Sequence, residues 1–319
     1  MKWISRTLII LLLISTLMIL GALFGGMNFS VIENFFKDDE AYGDIKTFEA
    51  TQMITELEID ASDRHINIEY IETGSLTLNY YEHKQDRWIF NEEDGKLTVT
   101  QKRVFSLINN FTFKYTSKEV KMITIFVPVN TLLVVDVDTD VGDITFDLGE
   151  SELTSVQLST DTGNINIKNA SITQGLYIQS NTGNVKITFV ETPSIGVDCD
   201  TGKVQIEDTQ SDWMIIRNST GDIVIKRTEA ADLLKLTTQT GKIDVQNSIS
   251  DNYELKTSTG NIYFQNTDLF ETIITYDLKV TVGSIYINSQ NQGSRHQTTG
   301  GDVSIKAESS TGSIRIITQ

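Results

Sequence analysis

One short pattern of apolar and polar positions recurs along most of this chain. A glycine is followed by a polar residue, then by Ile or Val, and after one further residue by a second apolar side chain. Apolar residues also stand five and seven positions before most of these glycines, so apolar positions alternate on both sides of the glycine. Alternation with a period of two is typical of strands with one buried face. Each repeat therefore predicts two half-buried strands joined at a glycine corner.

The corner glycines are almost evenly spaced. They are Gly142, Gly163, Gly183, Gly202, Gly221, Gly241, Gly260, Gly283, Gly301 and Gly312. Most intervals are close to 20 residues, and the last is so short that it suggests a closing hairpin or cap. A repeat of this length cannot bury a core alone, so neighbouring repeats are expected to stack. The predicted fold class is all-β, a single-stranded, β-helix-like β-solenoid of about 19–20 residues per coil.

An antiparallel sandwich or barrel is the alternative fold. Short strands and regular turns are compatible with either. Such folds do not normally keep one residue column through so many copies, and the pattern therefore favours the solenoid.

The N-terminal segment has a different pattern. Residues 7–27 are uncharged and long enough to cross a bilayer as a helix, which predicts one N-terminal transmembrane helix. Lys2 and Arg6 precede it, so residues 1–6 are expected in the cytoplasm and the rest of the chain outside. A cleaved signal peptide is the alternative, but small residues at suitable cleavage positions are hard to find. The predicted localisation is the cell membrane, single-pass.

Three further regions follow from the same patterns. Residues 28–50 resemble a polar stalk. Residues 51–130 contain alternating strands without the glycine register, which predicts an N-terminal β-cap or irregular first coils. Residues 131–319 hold the solenoid repeats with a C-terminal cap. The aromatic residues of the 51–130 region are expected to pack within the cap; they are Trp88, Phe90, Phe105, Phe111, Phe113 and Tyr115.

Composition narrows the classes of partner and site. The formal net charge of −17 argues against nucleic-acid binding, which needs clustered Lys and Arg. Cys199 is the chain's one cysteine, so no disulfide can form within the chain, and it stands in a column of small residues that predicts a buried structural thiol. The three histidines lack metal-ligand spacing, and a surface or cap role is favoured for them.

An acidic run is the one candidate metal site. Asp136, Asp138, Asp140 and Asp143 superficially resemble a calcium loop, although the flanking helices and the glutamate at position twelve of an EF-hand are missing. A solvated acidic face is the simpler interpretation. The hypothesis is a weak Ca²⁺ site at these four residues.

A family resemblance rests on specific runs. IFVPVN, then VVDVDTDVGDITF, then the repeated T-G-polar-[IV]-x-[IV] array resemble the bacterial adhesin-like domain family, which includes the LiaG-like proteins of envelope-stress operons. The resemblance covers roughly residues 50–319. It implies a cell-envelope β-solenoid without agreed catalytic residues.

No catalytic motif and no cofactor motif is found, so the first functional hypothesis is a non-enzymatic, membrane-anchored surface module. Its expected partner is an envelope polymer or a membrane or surface protein. The alternative is an extracytoplasmic carbohydrate-active enzyme, a lyase or glycosidase on a β-helix, which an outward groove of aromatics and carboxylates would favour. A third possibility is assembly by stacking of solenoid ends. The sequence does not determine the oligomeric state.

Overall fold

A computed structural model describes residues 39–103, 116–129, 131–149 and 152–319. The predicted helix at residues 7–27 lies outside the described residues, as do residues 28–38 of the predicted stalk. The rest of that segment, residues 39–50, packs on the domain instead: Lys46–Glu49 pairs with Thr77–Tyr80, and Ala50 is buried. Within the described ranges, no helix is both long enough and apolar enough to span a membrane.

The described residues form strands, together with short 3₁₀ turns at Asp39–Ala41 and Thr267–Leu269. The strands before the repeats are β1 (Lys46–Glu49), β2 (Glu56–Ala61), β3 (His65–Ile71), β4 (Thr77–Tyr80), β5 (Asp86–Glu93), β6 (Lys96–Arg103) and β7 (Met122–Pro128). The repeats begin with β8 (Leu133–Val141), β9 (Ile144–Asp147), β10 (Glu152–Thr162), β11 (Ile165–Thr182), β12 (Val185–Glu191), β13 (Ser194–Thr201), β14 (Val204–Glu207), β15 (Gln210–Thr220) and β16 (Ile223–Lys226). They continue with β17 (Glu229–Thr240), β18 (Ile243–Gln246), β19 (Asn252–Thr259), β20 (Ile262–Gln265), β21 (Ile274–Val282), β22 (Ile285–Ile287), β23 (Gln290–Gly293), β24 (Arg295–Gln297), β25 (Val303–Thr311) and β26 (Ile314–Ile317).

The strands stack as parallel, in-register coils, which confirms the predicted solenoid. From one end to the other, the coils are β6–β7, β2–β3, β8–β9, β10–β11, β11–β12, β13–β14, β15–β16, β17–β18, β19–β20, β25–β26 and β21–β22. The predicted apolar columns face inward and form one continuous core. Stacking extends this core beyond what one coil could bury.

The coils in the middle of the stack have a third, shorter side that the sequence pattern does not predict. Ala170 pairs in parallel with Val190, and Ser211 pairs with Ala230, on a side separate from the two strands at the glycine corner. A second corner precedes this side. Its residues adopt left-handed backbone conformations although none is glycine, and they are Asn169, Phe189, Asp208, Arg227 and Asn247. Because this column has no common residue type, sequence periodicity does not reveal it.

The glycine column is required by close approach between backbones. A Cβ added at Gly163 would lie 1.9 Å from the carbonyl oxygen of Gly142, and one added at Gly202 would lie 1.8 Å from that of Gly183. Gly202 also has a φ of +154°, whereas Gly163 is not in the left-handed region. The stack of corner carbonyls therefore excludes side chains at these positions even where the backbone angles are ordinary.

At the N-terminal end of the stack, an arginine occupies the last position of the glycine column. The register of β2 with β8 and of β3 with β9 places Arg64 where later coils have glycine. In the next coil outward, β6 ends at Arg103 and β7 begins at Met122, so the chain between them is much longer than the tight glycine corner of later coils. Arg64 is 1% exposed, forms ion pairs with Asp63 and Asp86, and lies over the rings of Tyr42 and Trp88. The buried Arg64 side chain thus covers this end of the hydrophobic core.

At the C-terminal end, the coil order departs from the chain order. The sequence pattern predicts a corner at Gly301, and that prediction is wrong because Gly301 lies against the backbone of Ile273 and Ile274, outside the column. Gly312 instead enters the column between Gly260 and Gly283. The short final interval therefore arises because the last strands, β25 and β26, form a full coil that inserts between two earlier ones.

Antiparallel strands cover both end coils. Strands β5 and β4 pair with β6 and β7, while β24 and β23 pair with β21 and β22. Trp88 and Phe90 pack in the N-terminal cap as predicted, and Phe90 stacks on Phe48 with ring centroids 4.4 Å apart. The other aromatics predicted to pack there lie outside the described residues. Covered end coils count against assembly by end-to-end stacking.

A buried polar column lies three residues before the glycines. Its hydroxyl and amide groups donate to the glycine carbonyl of the preceding coil: Thr160 Oγ1 lies 3.2 Å from the Gly142 oxygen and Asn218 Nδ2 lies 2.8 Å from the Gly202 oxygen. Cys199 occupies this column, with Sγ 3.6 Å from the Gly183 oxygen. The thiol is 3% exposed, which confirms the predicted structural role.

The Cys199 thiol is expected to be unreactive in the folded protein. Burial, with a smaller contribution from the Asp200 carboxylate, raises its pKa from 9.0 to about 11. At neutral pH this lowers the thiolate fraction about 100-fold, so modification by a disulfide reagent should be at least about 100-fold slower than in the urea-unfolded chain. Spectrophotometric thiol titration in both states measures this ratio. Equal rates in the two states would contradict a buried thiol.

Candidate functional site

Two aromatic side chains stand on the outer face of the strands that lead into the glycine corner. Trp213 is 56% exposed and Tyr177 is 36% exposed, although both lie on strands whose other side chains build the core. Exposed aromatic side chains combine an apolar ring with a polar group, which suits them to ligand contact. These two are the start of a candidate binding site.

Each ring is held by a carboxylate from the next coil. The Tyr177 hydroxyl donates to Asp198 Oδ2 at 2.9 Å, and Trp213 Nε1 donates to Asp232 Oδ2 at 2.8 Å. Both side chains therefore extend in the same direction along the stack. Burial, followed by the hydrogen bond to Asp198, raises the pKa of Tyr177, so its hydroxyl stays protonated at neutral pH. The rings are fixed before any ligand arrives.

Small residues make room between the rings. Gly196 pairs with Tyr177 in the adjacent coil, and a Cβ there would lie 2.9 Å from Cδ2 of the tyrosine ring, so the ring lies over bare backbone. Gly175 leaves space that the Ser194 hydroxyl occupies, 2.5 Å from where a Cβ would be. The resulting depression has a volume of about 380 Å³. We call it the aromatic groove; its residues are Ser155, Val156, Gln157, Gly175, Leu176, Tyr177, Ser194, Ile195, Gly196, Trp213, Ile215 and Arg217.

The groove is polar at its margins, and its arginine is paired. Arg217 Nη1 lies 3.3 Å from Asp198 Oδ1, and the same carboxylate accepts from Tyr177. Gln157 is exposed in register with Tyr177 in the preceding coil. The surface can therefore contact a ligand through two aromatic rings, amide and hydroxyl groups, and one neutralised ion pair.

The predicted acidic residues lie elsewhere on the same face. Asp136, Asp138 and Asp140 alternate along β8 with buried residues and form an outward row, while Asp143 lies beyond the corner. Asp143 is engaged by Lys118 and accepts from the Asn164 backbone N–H at 3.0 Å. The structure therefore brings three of the four residues into one row and separates the fourth.

The sheet topology places two further acidic residues, which are distant in sequence, beside Asp136 and Asp138. Strand β2 lies beside β8, which places Glu58 opposite Asp136 and Asp60 opposite Asp138. Burial raises the pKa of Asp60, and Asp138 and Asp140 raise it further. Burial and then Glu58 and Asp138 raise the pKa of Asp136. Like charges are thus concentrated at the N-terminal end of this face. We call these five residues the acidic row: Asp136, Asp138 and Asp140 of β8, and Glu58 and Asp60 of β2.

Replacing Asp138 by asparagine is expected to stabilise the protein by about 0.5 kcal/mol at pH 7, because it removes a charge that repels Asp60 and Asp136. Since those two groups have folded-state pKa values above their unfolded values, the repulsion lowers stability as pH rises through the folded pKa. The gain should therefore vanish in acid, where both groups are protonated. Urea unfolding of both forms at neutral and acidic pH measures this, and an equal gain at both would refute the charge explanation.

The calcium site stays a prediction. In the ranges that the structure describes, no three His, Cys, Asp or Glu side chains are grouped closely enough to hold a metal ion. A weak site in the acidic row predicts heat on calorimetric titration with millimolar Ca²⁺ that disappears in Asp138→Asn and persists in Asp302→Asn, an exposed acid at the other end. Absence of heat in the natural protein would dispose of the site.

The histidines have structural partners. His65 Nδ1 accepts from the Asp143 backbone N–H at 2.9 Å, and burial lowers the pKa of this imidazole. The rings of His83 and His296 pack against Tyr42 and Tyr276. These contacts agree with the expected cap role.

Sequence reasoning missed the groove because its residues stand between the repeating apolar positions. Two signals were present: glycines in strand interiors at Gly175 and Gly196, and aromatics at outward positions. Interior strand glycines often mark close approach of another group.

A family model matches residues 54–272, which is more than half of the chain and includes the groove. The chain belongs to the Toastrack DUF4097 family. No curated protein matches this Toastrack chain.

Solved structures provide weaker likenesses to this Toastrack protein. A "putative adhesin" from Bacteroides fragilis NCTC 9343 is 14% identical, with a TM-score of 0.47, and covers 86% of this chain and 98% of its own. A "putative cell adhesion protein" from Clostridium sporogenes ATCC 15579 is 13% identical, with a TM-score of 0.28 and coverage of 86% and 98%. A "putative lipid binding protein" from Parabacteroides distasonis ATCC 8503 is 11% identical, with a TM-score of 0.41 and coverage of 87% and 97%. All three TM-scores are low, so these likenesses assign no function to this chain.

Proposed function

We propose that this chain is a non-enzymatic, adhesin-like surface module that holds an envelope polymer in the aromatic groove. The observation that carries the proposal is the pair of exposed rings, Tyr177 and Trp213, each fixed by a carboxylate of the next coil. A rigid stack presents them without the ordering cost that a flexible loop would add on binding. Membership of the Toastrack family and the resemblance of the repeat array to adhesin-like domains support this class of function.

The sequence supports the location. Residues 7–27 would anchor the chain in the cell membrane, with the solenoid outside and residues 28–38 as the stalk between them. The resemblance to LiaG-like proteins supports an accessory role in the envelope-stress response. Cells expressing the full-length chain with an epitope at Gln319 test the location, because an extracytoplasmic epitope is labelled on intact cells. Labelling only after lysis would contradict it.

Retention by isolated cell envelopes tests the binding function. The full-length chain in detergent should co-sediment with envelope polymer, and Trp213→Ala should weaken retention at least about fivefold, because truncating a central aromatic contact typically costs more than 1 kcal/mol. Phe189→Asn is the matched control. Phe189 is 58% exposed at the second corner, on a different face, and neighbouring coils already have Asn169 and Asp208 in its column. Equal loss in both variants, or no retention of the natural protein, would refute the groove.

The same experiment addresses the enzyme alternative. The groove does bring aromatics and carboxylates together, but Asp198 and Asp232 are the hydrogen-bond partners of the two rings. The acids with raised pKa, Asp60 and Asp136, lie in the acidic row instead. No new reducing or unsaturated sugar ends should therefore accumulate during incubation with the polymer. Their accumulation would establish a glycosidase or lyase.

A further inference from the structure

The groove's chemistry indicates what kind of polymer fits it. We propose that the ligand is an uncharged, extended glycan that lies along the stack and contacts both Tyr177 and Trp213; this rests on the proposed function. Sugar rings present apolar C–H faces that pack on aromatic rings, and hydroxyls that hydrogen-bond at the edges. The groove offers both kinds of contact, through its two rings and through the exposed amide of Gln157 and the hydroxyl of Ser194.

Charge selects against other polymers. The chain has a formal net charge of −17, which repels phosphate-rich or sulfated polymers. A cationic polymer would prefer the acidic row, where Asp60, Asp136 and Asp138 repel one another. In the groove, the Arg217 charge is paired with Asp198, which leaves a surface suited to a neutral ligand.

The groove lacks the free backbone hydrogen-bonding groups that an extended peptide ligand would need. Such peptides usually bind by adding a strand to an open sheet edge. The four strands that line the groove, β10, β11, β13 and β15, already have parallel partners on both sides, and antiparallel strands cover the end coils. The groove therefore offers side chains to a ligand and no free backbone edge.

Geometry sets the length of glycan required. Tyr177 pairs with Gly196, and Gly196 pairs with Ile215, two residues after Trp213 on the same strand. The two aromatics thus lie two coils apart, roughly 10 Å along the stack at about 4.8 Å per coil. A single sugar cannot contact both rings, whereas an oligosaccharide that follows the stack can.

Tryptophan fluorescence of the full-length chain provides the test, with soluble β-1,4-linked N-acetylglucosamine oligomers of one to six sugars as the probe. The chain has three tryptophans, Trp3, Trp88 and Trp213. Trp88 is 8% exposed, whereas Trp213 lies in the groove and is 56% exposed. A ligand in the groove should therefore change mainly the Trp213 emission, and the change should disappear in Trp213→Phe. Affinity is expected to rise at least about tenfold between the monosaccharide and the tetramer and then level off. Tyr177→Ala should abolish the length dependence while the Trp213 signal remains, and Phe189→Asn should bind as the natural protein does.

Competing probes make the outcome decisive. Dextran sulfate and an uncharged extended peptide should leave the Trp213 emission unchanged at the same concentrations. Tighter binding of either, or an affinity independent of glycan length, would overturn the proposal. If no glycan binds while envelopes still retain the chain through Trp213, the proposed ligand class is wrong and the proposed binding function stands. If envelopes also fail to retain the chain, the ligand class and the binding function are both refuted. An unchanged melting temperature of Tyr177→Ala excludes unfolding as the cause.

Discussion

Replacing Gly163 by alanine is expected to destabilise the protein by at least about 3 kcal/mol. The added methyl carbon would lie 1.9 Å from the Gly142 carbonyl oxygen, and the backbones of both residues are held by hydrogen bonds between neighbouring coils. Neither can move without separating two coils. At roughly 2–4 °C per kcal/mol, the melting temperature should fall by about 10 °C, measured by circular dichroism.

Gly43 provides the matched control for this substitution. A Cβ at Gly43 would meet nothing within 4 Å, so Gly43→Ala should change stability by less than about 0.5 kcal/mol. Because Gly163 is not in the left-handed region, backbone strain cannot explain its sensitivity. Comparable stability of the two variants would mean that the corner backbones are not stacked as described.

Replacing Ile305 by aspartate is expected to open the C-terminal end of the stack. Ile305 is fully buried on β25, between Tyr253 of β19 and Tyr276 of β21. A buried, unpaired carboxylate there should cost at least about 3 kcal/mol. End units of a stacked array can open separately from the rest. Hydrogen exchange followed by mass spectrometry should therefore show faster exchange across Ile274–Val282, with the central coils unchanged.

The neighbouring residue tests whether the inward face matters. Lys306 points outward from the same strand, so Lys306→Asp introduces the same side chain without burial and should cost less than about 1 kcal/mol. Faster exchange in both variants, or in neither, would contradict the insertion of β25 between two earlier coils.

The repeating columns of the solenoid could be predicted from the sequence because inward and outward positions alternate in every coil. The second corner could not, because Phe189 and Arg227 adopt the same left-handed conformation as Asn169 without any shared residue type. The order of the coils at the two ends of the stack could not be predicted from the sequence either. Equivalent strands have equivalent patterns, so β25 could pair with any coil, and the local sequence does not indicate that its neighbours are β19 and β21.

The candidate site was predicted only in part. The acidic row was found because Asp136 and Asp138 are two residues apart in sequence, whereas Asp60 joins them through the position of β2. The aromatic groove depends on outward residues from several coils, and single-strand patterns do not indicate that Tyr177 and Trp213 belong to one surface. Their shared arrangement, a ring held by the next coil's aspartate, becomes visible only once the coils are stacked.

The central claim is that the aromatic groove is the binding surface, and hydroxyl-radical footprinting of the full-length chain with isolated envelope polymer tests it most directly. Tyr177, Trp213 and Phe189 are all exposed, so all three should oxidise in the free protein. Bound polymer should protect Tyr177 and Trp213 and leave Phe189 oxidised to the same extent. Protection of Phe189 alone, or equal oxidation of all three with and without polymer, would contradict the claim.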